Sequence, residues 1–157
     1  MKKLLFLLLS TLVVNANAQI KRIKLLEKEI GPITLLYQKS VNLDTGDSLY
    51  FAFLGFQNAK YTSITDRKSI AFSDNSKLNE FIKDLKSAHK LMELDEKVSM
   101  EWKKESYSII LYDFTKELYL ETKRGVGGYT IINKNGVLNL INVLLRIQLG
   151  KDEVLPE

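Results

Sequence analysis

Between Ile33 and Phe72, apolar and β-branched residues fall in short runs separated by turn-forming residues, the pattern of strands joined by tight connections. Ile33 to Leu43 and Ser48 to Gln57 read as a hairpin around Asp44-Thr45-Gly46-Asp47, where Gly46 can take a positive φ. Tyr61 to Thr65 and Ser69 to Phe72 read as a second, shorter extended pair. The period then changes. Leu78, Phe81, Ile82, Leu85, His89 and Met92 recur at helical spacing and predict a helix over about 76–93. Ser76 or Asp74 serves as its cap, and Lys77, Glu80, Lys83, Asp84 and Lys90 occupy its polar face. Four more strands follow: Val98 to Trp102, Tyr107 to Phe114, Glu117 to Lys123 and Tyr129 to Asn133. A final helix spans about 136–149, with Asn135 as its cap and Gly150 as its stop.

The fold class expected is α+β, a mainly antiparallel, strongly curved sheet of 7–8 strands with two helices. The elements run as four strands and a helix, twice over. Setting Asn135 on Asn75 aligns Leu138 with Leu78, Asn139 with Asn79 and Leu145 with Leu85, which suggests a ββββα duplication. This order is similar to that of the Whirly and PUR-type single-strand nucleic-acid binders, and the resemblance implies a nucleic-acid face.

Two strands depart from simple alternation. In Leu49 to Phe56 both alternating sets are apolar, and in Tyr107 to Phe114 Ile109 and Leu111 oppose Ile110, Tyr112 and Phe114. A sheet with water on one side alternates apolar with polar residues, so both faces of these strands should be covered. The last helix is apolar nearly all round, with only Asn139, Asn142, Arg146 and Gln148 polar along Val137 to Leu149. Either the sheet wraps around that helix, or a partner (a second copy or another protein) covers the surplus.

The first residues have the layout of a secretory signal peptide. Lys2 and Lys3 precede the apolar run Leu4 to Val14, and Ala16-Asn17-Ala18 supplies a cleavage site after Ala18. The apolar run is too short for a permanent membrane span. The expected organisation is a leader over 1–18, an N-terminal segment over 19–32, one domain over 33–150 and a tail over 151–157. The expected location is secreted or periplasmic, with no transmembrane segment in the mature chain. The chain has no cysteine, so neither a disulfide framework nor a thiol nucleophile is available.

Charge separates the function classes. The 157 residues include 23 Lys+Arg and 19 Asp+Glu, a net charge of +4, and half of that excess is Lys2 and Lys3 of the leader. The rest is mixed along the chain, and the one local excess, Lys21, Arg22 and Lys24, lies beside Glu27, Lys28 and Glu29. Nucleic-acid binding needs a concentrated basic face, so none is expected.

Candidate chemistry is sparse. Asp44-Thr45-Gly46 resembles the catalytic triplet of the retroviral-type aspartic proteases, and Gly125-Val126-Gly127-Gly128-Tyr129 resembles their Gly-rich flap. Those enzymes are almost wholly β, whereas a long helix separates the two pieces here, so Asp44 reads as a turn residue. The Gly-rich loop from Arg124 leads into a strand, whereas a phosphate cradle leads into a helix. His89, the only histidine, continues the apolar helix face and reads as structural. Glu101, Glu105, Asp113, Glu117 and Glu121 are spread over strands and turns, where a carboxylate pair for an exported hydrolase could assemble. No catalytic residue, metal ligand or cofactor is assigned. Aromatic residues on strands can form a recognition surface. Trp102 is the strongest candidate for an exposed one, beside Lys103 and Lys104, with Tyr112 and Tyr119 as further binding residues. The expectation is an exported, non-enzymatic binding or protein-interaction module.

Overall fold

The computed structural model describes residues 19–61, 63, 65–94, 97–112, 116–123 and 127–156. The leader expected over 1–18, the flap-like Arg124-Gly125-Val126, and Asp113 and Phe114 lie outside the described residues. Two four-stranded antiparallel sheets are present, each meandering in sequence order. The first comprises β1 (Ile20–Ile30), β2 (Ile33–Asn42), β3 (Ser48–Gln57) and β4 (Arg67–Phe72). Helix α1 (Asn75–Met92) follows. The second sheet comprises β5 (Met100–Lys103), β6 (Tyr107–Leu111), β7 (Glu117–Thr122) and β8 (Gly128–Asn133), and α2 (Lys134–Leu144) follows it. The α+β class and the order of four strands and a helix, twice, are therefore present. The single strongly curved sheet is not: two separate sheets, neither closed, replace it.

One strand differs from expectation because of its charge and its irregular period. Ile20–Ile30, which falls in the N-terminal segment over 19–32 where no strand was expected, is an 11-residue edge strand paired along its length with β2. Leu25 is an extra residue in that pairing, at a register shift between Lys24 and Leu26. A bulge breaks the period of two, so Ile23, Leu25, Leu26 and Ile30 do not alternate in sequence. Gly31 and Pro32 close the hairpin, and Gly31 has φ +57°, a conformation suited to glycine. Tyr61, Ser63 and Thr65, by contrast, are in no strand, while Thr62 and Ile64 lie outside the described residues.

Each sheet has an inner face that the helices cover. On the first, Ile33, Leu35, Tyr37, Ala52, Leu54, Phe56, Ile70 and Phe72 are buried. On the second, Tyr107, Ile109, Leu111, Leu118, Leu120 and Ile132 are buried, and all of these join one core with α1 and α2. Phe81 of α1 sits between the sheets, its ring centroid 5.0 Å from Phe72 and 4.9 Å from Tyr107. The helix caps shift from those expected. Asp74 caps α1 through Ser76 N at 2.5 Å, and Asn133, not Asn135, caps α2 through Gly136 N at 2.8 Å. A 60-residue shift would set Asp74 against Lys134, so the two caps do not correspond. Helix α2 ends at Leu144, earlier than the apolar pattern implies, because Ile147 and Leu149 remain buried in the turns beyond it.

The chain's end is fastened to the first sheet. Tyr37 is fully buried, and its hydroxyl shares its one proton between Gln148 O at 2.9 Å and Lys151 O at 2.6 Å. Asp152 accepts from Tyr50 Oη at 2.7 Å and from Lys39 Nζ at 2.9 Å. Asn75 closes the same region by exchanging hydrogen bonds with the backbone of Leu149, both at 2.9 Å. Residues 151–152 are thus fastened to the first sheet. No described helix is long and apolar enough to cross a membrane.

Candidate functional site

The outer face of the second sheet gathers tyrosines. Register places Ile110 opposite Tyr119 and Tyr119 opposite Ile131, with Tyr129 opposite Glu121 in the next row. Residues two apart on a strand share a face, so Tyr112 and Tyr129 flank Tyr119 diagonally. The rings meet. Tyr112 and Tyr119 lie edge to face at 4.9 Å, and Tyr119 and Tyr129 lie tilted at 5.6 Å. Ile110 and Ile131 fill the row between them, and all but the exposed Tyr112 are half-buried. Glu101, Glu117, Glu121 and Lys103 share this outer face and border the aromatic row with charge.

Tyr129, which sequence reasoning did not select, is held by a buried asparagine. Asn58 has no exposed surface, and its Oδ1 accepts from Tyr129 N at 3.2 Å and Lys60 N at 3.2 Å. Its Nδ2 donates to Asp66 Oδ2 at 2.7 Å, and the next residue's amide, Ala59 N, donates to Tyr129 O at 2.8 Å. Hydrogen bonds from Asn58 and then Lys68 hold the Asp66 carboxyl below its ordinary value. This junction joins the loop after β3 to the start of β8, so it fixes one sheet against the other. Gly128 is part of the fit: a Cβ there would lie 2.7 Å from Asn58 and 2.9 Å from Lys68.

The other expected binding residues separate. Trp102 pairs with Ile109, so it points to the inner face and packs half-buried against the core, contrary to the expected exposure. Lys103 is on the outer face at the edge of the sheet, in the same row as Ser108, Glu121 and Tyr129. Lys104 belongs to a different cluster: its Nζ is 2.6 Å from Glu80 Oε1 and 3.7 Å from Asp84 Oδ2. Tyr107 Oη donates to Asp84 Oδ2 at 3.1 Å. Burial first, then the Asp84 charge, pushes the Tyr107 phenol far above its ordinary value, and the Glu80 contact raises Lys104. With Lys104 bridging Glu80 and Asp84 and Tyr107 bonded to Asp84, the cluster is a hydrogen-bonded strut from α1 to the second sheet.

Asp44-Thr45-Gly46 is an exposed turn. Asn42 Oδ1 accepts from Asp44 N at 2.9 Å, Gly46 N donates to Asn42 O at 2.8 Å, and Gly46 has φ +77°. His89 is half-buried on α1, with Nε2 unpartnered. The described residues contain no group of three or more His, Cys, Asp or Glu arranged to hold a metal. The chain matches no family model, and no curated protein is similar to it beyond chance.

Proposed function

We propose that the protein is an exported, non-enzymatic interaction module that binds another protein through the outer face of its second sheet. The observation that supports this is the contiguous Tyr112–Tyr119–Tyr129 row. Tyrosine offers a large apolar ring with few rotatable bonds and a polar tip, a combination suited to protein recognition. The row lies on a rigid sheet, is packed by isoleucines and is bordered by charge, as a binding centre with a polar rim requires. The leader-like start of the chain supports export.

The test uses alanine at each tyrosine. Protein captured by the wild type should be lost, with affinity falling roughly tenfold or more for Tyr119→Ala at the centre of the row. Leu49→Ala, on the first sheet, should leave capture unchanged. Equal capture by the wild type and a folded Tyr112→Ala/Tyr119→Ala/Tyr129→Ala variant would reject the tyrosine face.

A further inference from the structure

The order of charges along β1 selects a partner for its open edge. Strand β1 is at the edge of its sheet, paired only with β2 among the described residues. Such an edge presents unpaired N–H and C=O groups. Arg22, Lys24, Glu27 and Glu29 face Ser40, Gln38, Leu36 and Thr34 of β2, so all four occupy the outer face. All four are exposed. The basic pair precedes the bulge at Leu25 and the acidic pair follows it. Lys24 and Glu27 already bond to each other across the bulge.

We propose that β1 pairs antiparallel with β1 of a second copy about a two-fold axis at the Leu25–Leu26 doublet. In this register Arg22 lies opposite Glu29 of the partner subunit, and Lys24 lies opposite Glu27 of the partner subunit. The symmetry repeats both pairs, giving four cross-strand ion pairs on one face. Opposite charges directly across an antiparallel pair are favourable and like charges unfavourable, so the register is specified as well as permitted. On the inner face, Ile23 meets Lys28 and Lys21 meets Ile30, so each ammonium has an aliphatic neighbour for its stem. The bulge, which shifts the alternation by one residue, faces its own symmetry mate, and both halves therefore keep their inside and outside in phase. Charge in any order would blunt an edge. Segregating base and acid to opposite sides of the bulge does more, because it makes the edge complementary to itself. The product is one eight-stranded sheet across two subunits, with an isologous interface.

Charge reversal tests the inference independently of the tyrosine face. Sedimentation of the purified protein at about 0.1 mM should give a dimer. Glu27→Lys/Glu29→Lys makes the outer row wholly basic, and Arg22→Glu/Lys24→Glu makes it wholly acidic. Each should be monomeric, with association weakened roughly a hundredfold or more. An equimolar mixture of the two should dimerise again. Circular dichroism checks that each is folded, and the fourfold variant R22E/K24E/E27K/E29K, with the signs exchanged, should be dimeric like the wild type. Amide exchange along Ile20–Ile30 should slow as wild-type concentration rises. A monomeric wild type, folded reversal variants that stay dimeric, or a mixture that stays monomeric would each overturn the inference.

Discussion

Asn58 shows how much one buried polar side chain can organise. It has no exposed surface, and both ends of its amide are engaged by groups from different parts of the chain. Asn58→Ala would remove the acceptor of the Tyr129 and Lys60 amides and the side-chain amide that donates to Asp66. Unsatisfied buried groups of this kind cost about 1–3 kcal/mol, so urea unfolding should show a loss of about 2 kcal/mol. Asp66 and Asp152 supply a second residue-scale expectation. Asn58 and Lys68 hold Asp66 below its ordinary value, and Tyr50 then Lys39 do the same for Asp152. A depressed carboxyl stabilises the fold above its unfolded value of about 4, and that stabilisation is lost as pH falls through the folded value. Thermal unfolding followed below about pH 4 should therefore decline less steeply in Asp66→Asn/Asp152→Asn than in the wild type. None of these partnerships was legible in the sequence. Asn58 is an ordinary turn residue in Gln57-Asn58-Ala59, and its role comes from Tyr129, distant in the chain.

At the scale of elements, regular periods were legible and interruptions were not. The helix at 75–92 follows directly from Leu78, Phe81, Ile82 and Leu85, all buried. Strand β1 was missed because Leu25 breaks its alternation and six of its eleven residues are charged. The α2 boundary moved because two asparagines compete for the cap and Asn133 reaches the Gly136 amide. Tyr112 and Tyr119 were legible as candidates, but their association with Tyr129 depends on register, which strand sequences alone do not give. Trp102 shows the same limit: one position along β5 separates it from the outer face that Lys103 occupies. The element-scale prediction concerns Gly128, where β8 begins. A methyl group there would enter the space of Asn58 and Lys68. Gly128→Ala should cost about 1–3 kcal/mol in denaturant unfolding, the range for overpacking a well-filled site.

For the whole molecule, strands apolar on both sides were the most informative signal, and their explanation divides in two. Leu54 and Ile109 are fully buried under the helices. Ile110, Phe51 and Phe53 instead occupy outer faces and remain half-buried. The helices cover one side of each sheet, so the surplus lies on the outer faces. Tyr50 is different again, because it lies on the inner side and holds Asp152. That clasp has a consequence in time. The seat of Tyr37 is built from residues 111 and 114 positions later, and α2 joins the same core as β2 and β3. The N-terminal half of the polypeptide cannot complete its interior until the C-terminal residues have been synthesised. A nascent chain therefore leaves the ribosome without its final tertiary structure.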